Sequence, residues 1–439
     1  MSNKTENKLT TWKKEIDEKD VPHKKLDDAI LTGFNRAKNE KSPSEFNYKV
    51  VFGLTALFLF LVGCVATIWI INPELLADNK GLQDAMNYEY YQEINETKTV
   101  NGMKVTIQGA IPDEKGFALF YTIETDKKYQ ALSMDHFEIM DVLGNEIEWS
   151  SMSYGTPNFS EKGKKKFEGK IEVFSVDGLS DFDFVTSFEL RPQSVGGVEN
   201  KISGEWFEIS FSIDEKKIAP KVEYALNNEV LLGEQKILFE KMIIYPLRAE
   251  LMIGFDEMNS KKILDFPDLK MVDEAGEERG KIINGTNMSF LNEEGNKQII
   301  YLQSNYFIDT EELYLSLNKI QALDKDELNV VVDIDEEKIV QQPASKKFTD
   351  FNVRGRHLEF TMKHGEEFPF GPFAYVLDEK GNEMDVLSSG MSQYLDGDNM
   401  GKYFVEIKGL SRMTGRLVLP LSFYPEWVEA EEEIRIKVY

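Results

Sequence analysis

The side chains best suited to metal binding or proton transfer outside the N-terminal region are His136, His357 and His364, set among a large excess of carboxylates. No two of these histidines have the spacing of a ligand pair, and an odd separation puts His357 and His364 on opposite faces of an extended strand. Asp396-Gly397-Asp398-Asn399-Met400-Gly401 opens like a calcium loop. Its fifth position is Met400 and its twelfth is Ile407, where a bidentate glutamate is needed, so an acidic hairpin loop is the expectation. The nucleophile elbow Gly-x-Ser-x-Gly, a phosphate-cradling glycine loop and His-Glu-x-x-His are all missing. The single cysteine, Cys64, leaves neither a disulfide framework nor a cysteine zinc site. These residues predict no catalysis, no metal and no cofactor.

One short pattern occurs three times. Asp141-Val142-Leu143-Gly144-Asn145-Glu146, Asp273-Glu274-Ala275-Gly276-Glu277-Glu278 and Asp378-Glu379-Lys380-Gly381-Asn382-Glu383 share Asp-x-x-Gly-x-Glu. Aspartate bonds back to turn amides and glycine takes the left-handed position, so each predicts a hairpin turn rather than a ligand site. Tyr88, Tyr90, Tyr91, Trp206 and Trp427 could stack on sugars, although β-sandwich cores use the same residues.

The remaining candidate contact is apolar. Leu26, Ile30, Phe34 and Ala37 fall on one face of a predicted helix over residues 24–38, bordered by Lys25, Arg36 and Lys38. Nothing within residues 1–49 is available to cover that face. It either lies on membrane lipid or docks into a cytoplasmic partner.

The element that positions this helix is the apolar run Val50–Ile71, which has no charged residue and is about 33 Å long as a helix, enough to span a bilayer. Arg36, Lys38, Lys41 and Lys49 precede it, and Lys80 follows among Glu74, Asp78 and Asp84, which predicts a cytoplasmic N-terminus and an extracellular C-terminus. Leu61-Val62-Gly63-Cys64 resembles a lipobox, but a lipidated cysteine should begin a polar tether and the run continues apolar to Ile71. Of 51 Lys+Arg and 77 Asp+Glu, residues 1–49 hold 11 and 9, which leaves the outer part strongly acidic and unsuited to nucleic acid.

Beyond the run, Asn72-Pro73-Glu74 predicts a helix from Pro73 to about Met86, within a juxtamembrane segment 72–95. From Lys98 the pattern has period two, with a type I′ turn at Asn101-Gly102 and a strand through Phe117, Leu119, Tyr121 and Ile123. Each repeated turn is followed by a lysine-started strand (Lys166–Phe174, Lys297–Gln303, Lys402–Lys408) and then a further strand. Phe211–Ile218 matches Val332–Ile339 as a closing strand, and the chain ends in Glu433–Val438. The fold predicted is mainly β: a cytoplasmic helix, a transmembrane helix, then three immunoglobulin-like β-sandwiches in series over 96–214, 215–340 and 341–439.

Pro22, Leu26-Asp27-Asp28-Ala29-Ile30 and Gly33-Phe34-Asn35-Arg36-Ala37-Lys38 resemble the cytoplasmic start of a family of single-pass proteins of Gram-positive bacteria. The likeness continues through Gly81-Leu82-Gln83-Asp84-Ala85-Met86, Gln92-Glu93-Ile94-Asn95 and Gly102-Met103-Lys104-Val105-Thr106-Ile107. Asn228-Glu229-Val230, Gly233-Glu234-Gln235-Lys236-Ile237 and Ile244-Tyr245-Pro246-Leu247 resemble an immunoglobulin-like domain of unknown function that often follows.

The resemblance implies a membrane-bound anti-sigma regulator of an extracytoplasmic-function sigma factor; a cell-wall ligand or an intramembrane protease is a further expected partner. Some anti-sigma factors carry a zinc-binding His-x-x-x-Cys-x-x-Cys helix, but here His23 has no cytoplasmic cysteine, so the sigma contact falls to the short helix. The alternative is an envelope adhesion or scaffold protein whose sandwiches bind wall polymer or another protein.

Overall fold

The structure is a computed structural model that describes residues 71–125, 131–145, 147, 149, 151–154, 165–193, 204–282, 288–290, 296–365, 368, 370–395 and 399–439. Among these residues the protein is mainly β, with one α-helix, α1 (Lys80–Asn87).

The first sandwich contains β1 (Gln92–Val100), β2 (Met103–Asp113), β3 (Gly116–Thr125), β4 (Ala131–Asp141), β5 (Ser151–Tyr154), β6 (Lys166–Phe174), β7 (Asp183–Gln193) and β8 (Glu205–Ser212). Its sheets run β1-β2-β3-β6-β5 and β4-β7-β8, antiparallel throughout, over one shared core. Strand alternation supplies that core: Phe117, Leu119, Tyr121 and Ile123 from β3 meet Phe184 and Phe188 from β7 and Phe207, Ile209 and Phe211 from β8. The β1–β2 hairpin turns through Asn101 and Gly102 at φ 47° and 84°, as a type I′ turn requires.

The second group is β9 (Val222–Leu232), β10 (Gln235–Ile244), β11 (Arg248–Phe255), β12 (Lys261–Asp265), β13 (Lys270–Asp273), β14 (Glu278–Arg279), β15 (Met288–Phe290), β16 (Lys297–Gln303) and β17 (Leu313–Asp324). The third is β18 (Asn329–Asp333), β19 (Lys338–Gln341), β20 (Phe348–Arg354), β21 (His357–Lys363), β22 (Leu377–Asp378), β23 (Val386–Leu395), β24 (Met400–Ile407) and β25 (Arg416–Pro420), followed by β26 (Trp427–Lys437). The sheet β9-β10-β11-β16-β15 repeats the order of the first sandwich's larger sheet, and β20-β21-β24-β23 repeats its last four strands.

The repeated turns share their backbone bonding. Asp141 Oδ1 accepts the N–H groups of Leu143 and Asn145, both at 2.8 Å. Asp273 does the same for Ala275 and Glu277 at 2.9 and 2.8 Å, and Asp378 for Lys380 and Asn382 at 2.8 and 2.9 Å. Gly144, Gly276 and Gly381 have φ of 81°, 80° and 81°, where a side chain is strained.

The closing strands depart from a series. In the first sandwich β8 pairs with β7, and Ile213 N–H donates to Phe182 O at 2.8 Å. The sequence match makes β18 the equivalent strand of the second unit, yet β18 pairs with β25 of the third, where Ile334 N–H donates to Gly415 O at 3.0 Å. The C-terminal β26 in turn pairs with β17 of the second unit, and Val438 N–H donates to Leu313 O at 2.7 Å. Ile436 and Val438 therefore lie in the second core and Val330 and Val332 in the third. The expected boundary between residues 340 and 341 is thus corrected: the chain crosses at 325–328, recrosses at 421–426, and the second and third sandwiches are interleaved.

Two further expectations change. Pro73–Met86 is not one helix but a 3-10 turn, Pro73–Leu75, capped by Asn72, followed by α1 capped by Asn79. Asn79 and Gly81 are poor interior helix residues, and Asn79 instead accepts the Leu82 N–H at 3.2 Å. Ile71, expected as the last membrane residue, lies in a bend and is buried against protein. Among the described residues no helix is long and apolar enough to cross a membrane, and residues 50–70 lie outside them.

Candidate functional site

The predicted contact residues Leu26, Ile30, Phe34, Ala37, Lys25, Arg36 and Lys38 lie outside the described residues, as does Cys64. The next stretch of chain is placed. Residues 71–92 form a strap inserted where the first sandwich meets the second.

Its apolar side is local in origin. Leu76, Leu82 and Ala85 project from the 3-10 turn and α1 onto Ile111, Ala118 and Phe120 of the first sandwich and Leu247 of the second. Ala118 and Phe120 occupy the β3 face opposite the sandwich core, which is why β3 is buried on both sides. Gly81 rides directly on the second sandwich: a Cβ there would stand 3.1 Å from Ser304 Cβ and 3.2 Å from its amide nitrogen.

Ion pairs fix the strap to both neighbours. Asp84 meets Arg279 at 2.7 Å with both side chains largely buried, and Arg279 Nη1 donates to Ser304 O at 2.7 Å. Lys80 Nζ donates to Glu278 O at 2.8 Å and Glu277 Oε2 at 3.1 Å, and Gln303 Nε2 donates to Asp78 O at 3.2 Å. Toward the first sandwich, Lys170 Nζ reaches Asp78 at 3.2 Å. Burial raises the Asp84 carboxyl above its ordinary value despite the Arg279 charge.

The strap also touches the linker. Tyr90 Oη accepts the Ala219 N–H at 2.8 Å, and burial pushes its phenol up to about 12. The Tyr90 ring packs on Phe307 at 5.0 Å, and Gln92 exchanges two hydrogen bonds with the Asp214 backbone, at 3.2 and 2.8 Å.

Beneath the strap the two sandwiches meet directly. Phe174 sets its ring edge-on to Tyr301 at 5.0 Å, with the Arg248 guanidinium 3.9 Å from the Phe174 centroid. Asp113, fully buried, faces Arg248 at 3.8 Å and accepts the Lys115 N–H at 2.7 Å. Burial raises its carboxyl, opposed by Arg248 and by backbone bonds from Lys115, Leu247 and Gly116. A cavity of about 30 Å³ beside Arg248, Glu172 and Asn79 has room for one water. The joint's chemistry is to hold three pieces of chain in one arrangement.

The other candidates lie elsewhere in the fold. Met400 begins β24 and Ile407 is buried in a core, so the calcium-like loop is the β23–β24 hairpin, with residues 396–398 outside the described set. His364 is buried beside Phe368, whereas His357 is partly exposed, 3.8 Å from Glu406. Among the described residues no three potential metal ligands converge. Side-chain bonds from Asn145 and Asn382 lower the Asp141 and Asp378 carboxyls, whose oxygens are engaged by their own turns. Tyr88 and Trp206 are exposed, Tyr90 and Tyr91 pack against the strap's own apolar cluster, and Trp427 packs on the third core.

Two family models match parts of the chain: a domain of unknown function (DUF4179) over residues 48–125, and a family of unknown function (DUF5643) over residues 221–361. The first match runs through the strap to the end of β3, and the second runs from the second sandwich into β21 of the third. No curated protein matches the chain. Among solved structures, a conserved domain protein from Bacillus anthracis is similar at 17% identity and a TM-score of 0.37, over 57% of this chain and 84% of that one.

Proposed function

We propose that the protein is a non-enzymatic, single-pass membrane regulator that holds an extracytoplasmic-function sigma factor through Leu26, Ile30, Phe34 and Ala37, bordered by Lys25, Arg36 and Lys38. In this reading residues 50–70 cross the membrane, and three immunoglobulin-like sandwiches face the outside. The observation that supports it is the strap: the chain that continues from the apolar run is locked into the first joint of the outer domains by Asp84–Arg279, Lys80–Glu277 and Lys170–Asp78. A change in that joint alters the hold on Ile71, the last residue of the run. An anchor that only displayed its domains would need no such lock. The resemblance of the cytoplasmic helix supplies the partner class.

The test is sigma-dependent transcription in cells carrying the full chain with Leu26→Asp, Ile30→Asp and Phe34→Asp. Derepression to the level of a deletion strain is expected. Repression that persists at equal protein level sinks the contact.

A further inference from the structure

The outer face of the sheet β20-β21-β24-β23 is built of three cross-strand rows, and its opposite face is the third core. Asp350, Thr361, Lys402 and Gln393 form one row in register. Asn352, Glu359, Phe404 and Gly390 form the next, and Arg354, His357, Glu406 and Ser388 the last. The rows enclose a depression of about 390 Å³ lined by Asp350, Asn352, Glu359, Ser392, Lys402 and Phe404 among others.

Every side chain in the three rows can make a hydrogen bond except Phe404, which sits in the middle row beside Gly390. A Cβ at residue 390 would meet only the Phe404 ring edge, at 3.8 Å, so nothing steric demands glycine there. Its effect is that β23 places no side chain over this half-buried ring, whose other neighbour in the rows is the His357 ring, edge-on at 5.9 Å. The polar groups around it are held in place: Glu406 accepts from Ser388 Oγ at 3.1 Å and pairs with Arg356 at 2.7 Å, and Glu359 pairs with Arg354 at 3.3 Å.

The charges decide the ligand class. Asp350, Glu359 and Glu406 are matched by Arg354, Arg356 and Lys402, in a chain whose formal net charge is −26. A phosphate polymer would meet the carboxylates, and a polycation the guanidinium groups. A neutral polyol fits: its hydroxyls donate to carboxylates and accept from guanidinium and ammonium groups, while the C–H face of a sugar ring lies on an aromatic ring.

We propose that this face binds a neutral glycan strand, with Phe404 as the stacking platform. The proposal uses only the third sandwich and does not depend on the cytoplasmic contact, so transcriptional repression and sugar binding can fail separately.

The experiment is titration calorimetry of the full chain in detergent with chitohexaose and, separately, maltohexaose. Binding of at least one is expected, weakened about tenfold or more by Phe404→Ala and restored by Phe404→Tyr, the tenfold corresponding to one lost stacking contact. Gly390→Val, which covers the ring without removing it, should weaken binding as Phe404→Ala does, and Trp206→Ala, on the first sandwich, should leave it unchanged. Absence of binding to both sugars at millimolar concentration, or affinity indifferent to Phe404→Ala and Gly390→Val, overturns the proposal.

Discussion

The first sandwich closes on itself and the other two close on each other. β8 follows β7 and pairs with it, whereas β18 and β26 trade places between the second and third sandwiches. The difference lies in connectivity, not in local chemistry, since the closing strands carry the same inward apolar alternation: Phe207, Ile209 and Phe211; Val330 and Val332; Ile434 and Ile436. A self-closed sandwich is held to its neighbour only through its surface, here by the strap and the Arg248–Asp113 and Phe174–Tyr301 contacts. An exchanged pair is joined through its two cores, with Leu264 and Leu323 from the second unit packing in the third. Among the described residues, the joint under the strap is therefore held through surfaces and the joint between the second and third sandwiches through shared cores.

Deleting residues 427–439 gives the sharpest test of this contrast. It removes β26 and leaves β17 without its partner on that side, so the second and third sandwiches should both lose cooperative unfolding, while the first keeps protection of its β3 and β6 amides in hydrogen exchange. A deletion that leaves β12–β17 protected would mean the exchanged strand is not needed. A gentler version is Ile436→Ala, expected to cost about 2–5 kcal/mol in urea unfolding of the second unit.

At the strap, Arg279→Ala leaves Asp84 buried without its partner and should cost about 3–5 kcal/mol. The loss should appear as fast amide exchange in α1 rather than in the sandwich cores. If α1 stays protected, the ion pair does not hold the strap.

The joint should also respond to acid in a defined sense. Burial raises the folded Asp113 carboxyl above its ordinary 3.8, so the folded chain binds this proton more tightly than the unfolded one. Its contribution is fully present below that ordinary value and is lost as pH rises through the raised one. Asp84 and Glu250 shift the same way, both through burial. Melting temperature should fall from mild acid toward neutral pH more steeply in the native chain than in Asp113→Asn. Equal slopes would remove Asp113 from the account.

The smallest effects belong to the repeated turns. Gly144→Ala, Gly276→Ala and Gly381→Ala each force a left-handed alanine, at about 1 kcal/mol. The three costs should be alike, because no atom lies within 4 Å of the added Cβ in any of them. A marked inequality would show that the turns differ in a way their shared backbone hydrogen bonds do not.

Much of the architecture is legible in the sequence where the cause is local. Alternation sets the strands, Asn101-Gly102 sets the first hairpin, and Asp-x-x-Gly-x-Glu sets a turn whose bonding recurs in all three units. The strap is only half legible. Asn72-Pro73-Glu74 marks a start, but the second cap at Asn79 is hidden inside a stretch that reads as one helix. The available signal for its docking is β3 itself: Gly116-Phe117-Ala118-Leu119-Phe120-Tyr121 is apolar on both faces, and a strand with two buried faces needs a second cover.

Local chemistry dictates the inventory: an apolar run, repeated turns, and closing strands whose inward residues must be buried. Which sheet each closing strand joins was decided only in three dimensions. Backbone pairing along a strand edge is nearly independent of side-chain identity, and β18 and β26 offer equivalent apolar faces, so either could close either sheet. The choice rests on the path of the whole chain, through the crossings at 325–328 and 421–426 and the shared packing around Leu264 and Leu323.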